Sequence, residues 1–207
     1  MNKALFRLLA CTALLLITGG AALAQAKTPP ADPTFKLQGL DGKVVDLAEQ
    51  RGNVVLVSFG ATWCAPCTVE LQSLNELLAE YRDKPVKFFW VSVERADEVN
   101  NSRLKQYAKE RKLAFPVLRD TGKMVYLQFA ERQRLPMILL LDKDGKVDNP
   151  VTFGVKSPPQ NYKADVRARL NKLLNLPSPD GRGTEDVGAK RTELNALAPA
   201  LSQRERE

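Results

Sequence analysis

The sequence predicts an α/β domain in which helices cover both faces of a sheet. Three observations indicate this class. Residues 54–59 are almost continuously apolar, as expected of a strand that is covered on both faces. The segment after them places leucines at helical spacing. Short apolar runs and helical patterns then alternate along the chain, which is the order that builds a sheet with flanking helices.

A β-hairpin is predicted to open the domain. Residues 34–37 and 44–47 flank a turn at 40–43 that contains Asp41-Gly42. The apolar strand 54–59 comes next, and we expect it to be central in the sheet.

A helix is predicted to begin at Cys67. Its apolar side chains recur at intervals of four and three residues, which marks one buried stripe: Leu71, Leu74, Leu78 and Tyr81. We expect Pro85 to end this helix.

The remaining elements alternate in type. The sequence predicts a strand at 86–93, a polar helix at 97–112, a short edge-like strand at 115–118, a short helix at 122–130, strands at 137–141 and 146–153, and a closing helix at 161–174. Leu104, Tyr107 and Ala108 form the expected inner face of the polar helix. Residues 142–145 are interpreted as a hairpin turn, because their glycine is misplaced for a calcium-binding loop.

The composition narrows the chemistry. The chain has 207 residues and no histidine, which excludes Ser-His-Asp and Cys-His catalysis and any His-ligated zinc or copper site. Its formal net charge is +7, but no basic run alternates with aromatic residues, so we expect no nucleic-acid partner. Its three cysteines are the close pair Cys64 and Cys67, and Cys11, which lies near the start.

The first 24 residues have the pattern of a secretory signal peptide. Lys3 and Arg7 precede an apolar run at 8–17, and Ala22-Leu23-Ala24 is a small-x-small cleavage site. The run is about half of the ~20 residues that a membrane-spanning helix needs. We therefore expect export to an oxidising compartment, the periplasm for a bacterial signal, with retention as an N-terminal membrane anchor as the alternative.

Four regions are expected along the chain. They are the signal peptide at 1–24, a flexible lead-in at 25–33, a folded domain at 34–176 and a C-terminal extension at 177–207. The extension begins with a stretch rich in proline, glycine and serine, and we expect it to be mobile and outside the core.

The segment Trp63-Cys64-Ala65-Pro66-Cys67 carries the chemistry. It joins a predicted strand to a predicted helix, where unpaired backbone N–H groups and the helix dipole favour a thiolate. A disulfide at this spacing closes a very short loop and adds little stability, so a redox-active pair is favoured over a static structural disulfide. A structural zinc site would need further cysteine or histidine ligands.

The run from Val54 to Cys67 resembles exported thioredoxin-like proteins of the TlpA/ResA type, within the redoxin or AhpC-TSA-like group of thiol-disulfide reductases. The hairpin at 35–47 and the later segment 135–146 match the same pattern, so the resemblance spans about residues 34–175. It implies a thioredoxin fold, in which a central mixed β-sheet is flanked by helices, with an N-terminal β-hairpin and a helical insert near 97–112.

Three features depart from the family pattern. Ser58 lies six residues before the first cysteine, where thioredoxin carries a buried Asp, so we expect the chain to lack that proton acceptor. Gly60 stands where a bulky residue is common, and we expect it to open the surface near the two thiols. The extension at 177–207 is not required by the pattern.

Each residue of the motif has an expected role. Cys64 is the predicted nucleophile at the helix N-terminus, and Cys67 is the resolving thiol one turn further in. Trp63 is expected to offer partners an apolar edge, and Pro66 to fix the backbone between the cysteines. The disulfide Cys64–Cys67 is the one redox group expected, with no metal and no other cofactor.

Three residues outside the motif are candidates for supporting roles. Pro136 matches the family's cis-proline beside the dithiol, and an ordinary trans proline is the alternative. Glu70 shares a helix side with Cys67, and the resemblance implies an acid that tunes the thiols. The alternative for Glu70 is a solvated acid in the first helical turn. Glu94, at a strand end, is a weaker candidate of the same kind.

These observations predict a periplasmic, monomeric thiol-disulfide oxidoreductase that reduces protein disulfides. The resemblance implies a membrane thiol electron donor, and substrates such as the haem-site cysteines of apocytochrome c. The alternatives are a protein disulfide oxidase or isomerase, and a copper(I) chaperone that uses Cys64 and Cys67 as soft ligands. A further alternative is a redox site that serves only a complex docked by the C-terminal extension.

Overall fold

The computed structural model describes residues 33–177 of the chain. The strands, in chain order, are β1 (Lys36–Gly39), β2 (Val44–Asp46), β3 (Val54–Gly60), β4 (Val86–Ser92), β5 (Val117–Arg119), β6 (Met137–Leu141) and β7 (Val147–Phe153). The α-helices are α1 (Ala65–Glu80), α2 (Asn101–Glu110) and α3 (Pro159–Leu174), and two short 3-10 helices lie at Leu47–Gln50 and Tyr126–Gln128. The predicted signal peptide and nearly all of the lead-in and the extension lie outside the described residues.

The central strand of the sheet is β3, as its apolar pattern predicts. The strand order is β2-β1-β5-β4-β3-β6-β7. β3 pairs in parallel with β4, from Val54 opposite Val86 to Gly60 opposite Ser92, and it pairs antiparallel with β6. The sheet is therefore mixed, and the end of β3 that leads into the cysteines lies at its centre. The β1–β2 hairpin is also as predicted.

The strand predicted at 115–118 is not at an edge of the sheet. β5 lies between β1 and β4, antiparallel to the first and parallel to the second. A three-residue strand resembles an edge strand in the sequence, but here the N-terminal hairpin extends the sheet beyond it and takes the outer position.

The strand side chains alternate between two apolar clusters. Val54 and Leu56 of β3 belong to a cluster that all three α-helices join. Val55 and Val57 belong to the opposite cluster, which includes residues of the hairpin and of both 3-10 helices. Within residues 33–177, the α-helices thus share one face of the sheet, and the helices on the other face are of the 3-10 kind.

The helix predicted at 122–130 is reduced to the single 3-10 turn Tyr126–Gln128. The carboxylate of Asp120 accepts hydrogen bonds from the backbone N–H groups of Val125 and Tyr126, at 3.1 and 2.8 Å. The hydroxyl of the fully buried Tyr126 bonds to the backbone of Arg132 and Arg134. These side-chain bonds hold the segment as a compact loop instead of a longer helix.

Helix α1 differs from its prediction at both ends. It begins at Ala65 and ends at Glu80, five residues before the proline that was expected to end it. Its apolar stripe includes the fully buried Leu77, whereas Leu78 is only partly buried. The last turn ends at Tyr81, whose hydroxyl donates a hydrogen bond of 2.5 Å to Asn171 on α3 and so fixes this end against the closing helix.

Helix α2 lies between β4 and β5, which confirms the helical insert. It begins at Asn101 and not at 97, because the side chain of Asn100 caps it by accepting a hydrogen bond from the backbone N–H of Arg103. Leu104 and Tyr107 are buried, as predicted for its inner face.

Helix α3 closes the domain and packs on α1. Lys163 forms an ion pair with Glu76 at 2.6 Å, and Arg167 donates two hydrogen bonds of 2.7 Å to Glu80. These partly exposed pairs contribute little free energy, but they align the two helices. A lipid bilayer could not be crossed by any helix found between residues 33 and 177, since none combines sufficient length with sufficient apolar character.

Candidate active site

The two cysteines form a disulfide at the N-terminus of α1. The Cα atoms of Cys64 and Cys67 are 5.3 Å apart, and the disulfide spans the first helical turn. Cys64 is the N-cap residue of the helix, and its Sγ accepts a hydrogen bond of 3.2 Å from the backbone N–H of Cys67. A sulfur at this position is stabilised as a thiolate, because it meets both a backbone N–H donor and the positive end of the helix dipole.

The two sulfurs differ in access. Cys64 is 4% exposed and Cys67 is fully buried, while the neighbouring Trp63 is 65% exposed. Pro66 is also exposed and lies at the second position of the helix. A partner that approaches past the Trp63 ring therefore meets Cys64 before Cys67.

The predicted cis-proline is present. The Leu135–Pro136 peptide bond is cis, and Pro136 is buried at the start of β6. Leu135, which the sequence analysis did not single out, packs against the small apolar cluster of Ala61, Cys64 and Cys67. Its place immediately before the proline was the one signal in the sequence that could have identified it.

Glu70 is fully buried on α1, one turn beyond Cys67, so its interpretation as a solvated acid is wrong. Its carboxylate accepts hydrogen bonds from Ser58 Oγ at 2.7 Å and from the hydroxyl of Tyr162 at 2.9 Å. Burial raises the pKa of Glu70 to about 7, although both hydrogen bonds act in the opposite direction. The carboxyl group can thus gain or lose a proton near neutral pH.

The position of Ser58 changes the inference about the missing proton acceptor. Ser58 lies on β3 at the position where thioredoxin carries its buried Asp. The strand therefore supplies no carboxyl group at this position. The structure brings the Glu70 carboxylate onto the Ser58 hydroxyl from the adjacent helix. A buried carboxyl group is therefore present beside this strand position, supplied by α1.

Glu94 follows β4 and is buried beside the loop that precedes the cysteines. Its carboxylate accepts hydrogen bonds from the backbone N–H of Thr62 at 2.9 Å and from Thr62 Oγ1 at 2.6 Å. Ser92 Oγ donates a third hydrogen bond of 3.0 Å. Glu94 thus holds the loop two residues before Cys64.

Gly60 does not open the surface near the thiols, contrary to the expectation. It is buried at the end of β3, and a Cβ atom placed on it would lie only 2.6 Å from Nε1 of Trp90. The same atom would lie 3.3 Å from Sγ of Cys67. The space left by the missing side chain is therefore filled by the indole of Trp90, for which the sequence pattern predicted only a place in a strand.

No group of three or more Cys, Asp and Glu side chains converges on a common metal-binding point within residues 33–177. In the described residues, the sulfurs of Cys64 and Cys67 are bonded to each other. The arrangement can therefore exchange electrons by opening and closing this disulfide.

Comparisons with known proteins agree with this geometry. Residues 31–149 match the AhpC/TSA family model. The thiol-disulfide oxidoreductase ResA of Bacillus cereus is 36% identical over 115 residues, which cover 56% of this chain and 64% of that protein, slightly under two thirds of its length. ResA of Bacillus thuringiensis is 31% identical over 156 residues, which cover 70% of this chain and 86% of that protein.

Solved structures with the same fold include a thiol:disulfide interchange protein of the thioredoxin family from Chlorobium tepidum. It superposes with a TM-score of 0.59 at 24% identity, covering 71% of this chain and 97% of that one. At this identity the likeness shows the thioredoxin fold and nothing about a substrate.

Proposed function

Because the chain belongs to the AhpC/TSA family and is a thiol-disulfide oxidoreductase, we propose that it reduces the disulfides of exported proteins through Cys64 and Cys67. The observation that carries this proposal is the position of Cys64 as the N-cap of α1, where Sγ accepts the backbone N–H of Cys67. This position stabilises a thiolate on the more exposed of the two sulfurs.

The first step is attack by the Cys64 thiolate on one sulfur of a substrate disulfide. A bond forms between Cys64 Sγ and that sulfur, and the other substrate sulfur leaves as a thiolate that takes a proton from water. The exposed ring of Trp63 gives the substrate an apolar surface beside Cys64. Pro66 keeps the first helical turn rigid, and Leu135, which precedes Pro136, packs against the cluster that contains both cysteines and so places this segment within reach of a bound substrate.

The second step is attack by Cys67 on Sγ of Cys64. Cys67 must first lose its proton, and Glu70 is a buried carboxyl group one turn further along the same helix, at the spacing that puts both residues on one side of it. With a pKa of about 7, Glu70 can accept this proton and later release it. The new Cys64–Cys67 disulfide forms, the second substrate sulfur leaves as a thiolate, and two electrons have passed to the substrate.

The oxidised protein must be reduced again to act as a catalyst. We assign this step to a membrane thiol electron donor, which would supply two electrons and receive the disulfide by the same exchange chemistry. The same proposal includes export to the periplasm through a signal peptide at 1–24. It also includes action as a monomer. The haem-site cysteines of apocytochrome c are a substrate class that fits this direction of electron flow.

The direction of electron flow is tested by the reduction potential of the Cys64–Cys67 couple, equilibrated with dithiothreitol or glutathione. We expect a value near that of thioredoxin, about −270 mV. A value near −120 mV would identify an oxidant and overturn the proposal. The activity of the same protein is measured as its rate of insulin disulfide reduction. If a Cys64→Ala variant still reduced insulin, Cys64 would not be the nucleophile.

A further inference from the structure

The indole N–H of Trp90 is a buried donor without a hydrogen-bond acceptor. Trp90 is fully buried on β4, and its Nε1 has no partner anywhere in residues 33–177. Buried N–H groups are nearly always paired in folded proteins, because an unpaired one loses its hydration and gains nothing in return. An exception beside a reactive centre therefore calls for a chemical explanation.

Nε1 of Trp90 and Sγ of Cys67 both approach the same face of Gly60. Both atoms border the space over the Cα of Gly60, where a Cβ atom would be 2.6 Å from Nε1 and 3.3 Å from Sγ. A Cβ atom at residue 60 would occupy this volume, whereas glycine leaves it to the two atoms.

The indole is held in this place by stacking. Its ring lies on Tyr107 of α2, with centroids 5.4 Å apart and planes inclined by 21°. The guanidinium of Arg111 is 4.4 Å from the centroid of the Tyr107 ring. The N–H is therefore fixed by the packing of β4 against α2, and it needs no reorganisation when charge develops nearby.

Opening the disulfide gives this donor an acceptor. In the oxidised protein, Sγ of Cys67 is bonded to Sγ of Cys64 and carries no charge. After reduction, or when Cys64 is joined to a substrate, Sγ of Cys67 has lost that bond and is a thiol or a thiolate in a fully buried position, and either form can accept a hydrogen bond.

We propose that Trp90 is a positioning residue whose indole N–H donates a hydrogen bond to Sγ of Cys67 in the reduced protein and in the mixed disulfide. This inference rests on the proposed function, because Cys67 is the resolving thiol of that reaction. The N–H proton stays on the indole throughout. Cys67 Sγ attacks Cys64 Sγ, the substrate thiolate leaves, and the hydrogen bond is lost as the Cys64–Cys67 bond forms.

The other ionisable groups near this pair lie on three helices. Glu70 lies one turn from Cys67 on α1, Tyr162 of α3 donates a hydrogen bond to Glu70, and Tyr107 of α2 stacks on the indole with Arg111 on the Tyr107 ring. Glu70 disfavours a thiolate whenever it is ionised. The Trp90 N–H acts in the opposite direction, since a hydrogen bond to the charged form favours that form.

The first test is the ¹H–¹⁵N spectrum of the two tryptophan indoles in the full chain. On reduction with dithiothreitol, at a pH where the ¹³Cβ chemical shift shows that Cys67 is ionised, the Trp90 N–H proton resonance should move downfield, as expected when a free donor gains an anionic acceptor. A Trp90 resonance that is the same in both redox states would overturn the inference.

The second test replaces Trp90 with β-(3-benzothienyl)alanine, which keeps the shape of the ring and lacks the N–H. The pKa of Cys67, followed by ¹³Cβ chemical shift in the reduced protein, should rise by about one unit, and the mixed disulfide should resolve about threefold more slowly at pH 7. The rate changes less than the thiolate fraction because a more basic thiolate is a better nucleophile. Phe88→Leu, on the same strand and in the same cluster, is the control for general loss of packing and should leave the pKa of Cys67 unchanged.

The outcomes separate the two proposals. If Cys67 has the same pKa in the benzothienyl protein as in its parent, the role of Trp90 is refuted. Reduction of insulin by the parent would still support the proposed function. If the parent fails to reduce insulin but its Trp90 resonance and the Cys67 pKa respond as described, the hydrogen bond stands and the proposed function falls.

Discussion

Ser58 Oγ donates a hydrogen bond of 2.7 Å to the carboxylate of Glu70. This bond joins the central strand β3 to the helix that carries the cysteines. It places a carboxyl group with a raised pKa at the strand position where the related thioredoxin pattern has an acid of its own. In this chain the carboxyl group comes from the helix and not from the strand. Its pKa of about 7 results from burial.

Burial of Glu70 makes stability depend on pH. Because its pKa is about 7 in the folded state and near 4.5 when exposed, the folded state binds a proton more tightly than the unfolded state. The free energy of unfolding should therefore fall as pH rises from about 4.5 to 7, by about 3 kcal/mol from this group. Urea denaturation of the oxidised protein across this range measures the slope.

Glu70→Gln should remove the contribution of Glu70 to the pH dependence of the free energy of unfolding. Glu49→Gln, at an exposed carboxyl group, should leave that pH dependence unchanged. The same Glu70→Gln protein should resolve mixed disulfides more slowly above pH 7, because the amide cannot accept the Cys67 proton. Equal slopes for the Glu70→Gln protein and the wild type would show that Glu70 does not titrate in this range.

Gly60→Ala should destabilise the protein by about 1–3 kcal/mol, the usual cost of overpacking a core. The added methyl group would contact Trp90 Nε1 at 2.6 Å and Cys67 Sγ at 3.3 Å. Trp90→Phe removes the five-membered ring, so Gly60→Ala should cost less in that background. A double-mutant cycle by denaturation of the oxidised proteins measures this coupling, and strictly additive effects would contradict the close contact.

Glu94→Gln should loosen the loop before Cys64. One of the two carboxylate oxygens becomes an N–H₂ group that can no longer accept from Thr62 or Ser92, and the charge-assisted hydrogen bonds are lost, at a cost of about 1–3 kcal/mol. Hydrogen exchange of the Thr62 amide should accelerate. Glu98→Gln provides a matched exposed control, since Glu98 accepts a single hydrogen bond from the backbone of Arg95. Unchanged exchange at Thr62 would show that Glu94 does not hold the loop.

Cys67→Ala should trap substrate on Cys64. Without the second thiol, the mixed disulfide cannot resolve, so intact mass spectrometry after incubation with a disulfide-bonded protein should show a covalent adduct at Cys64. Cys64→Ala should give little or no adduct, because the remaining thiol of Cys67 is fully buried. An adduct mainly on Cys67 would reverse the two roles.

The features that were predictable from the sequence are those set by local pattern. The hairpin, the strand Val54–Gly60, the helix after the cysteines and the disulfide at its N-terminus follow from alternation, spacing and composition. The resemblance added the thioredoxin fold and the cis peptide at Pro136, which local propensity alone would not have favoured.

The features that were missed depend on contacts between distant segments. The burial of Glu70 is completed by Tyr162, 92 residues later, and no local pattern distinguishes it from a solvated acid. Gly60 was expected to leave a gap, because a sequence does not reveal that Trp90 on the neighbouring strand fills it. The interior position of β5 likewise depends on where the first hairpin folds.

The contact between α1 and α3 means that the surroundings of the two thiols differ between the nascent chain and the folded domain. The chain emerges with its N-terminus first, so Cys64 and Cys67 are both available long before Tyr162 arrives to enclose Glu70. A disulfide made at that stage forms between thiols with the reactivity of an unfolded peptide. The surroundings of Glu70 are complete only when α3 is docked, so the cysteine pair has its native environment only in a domain that includes this helix.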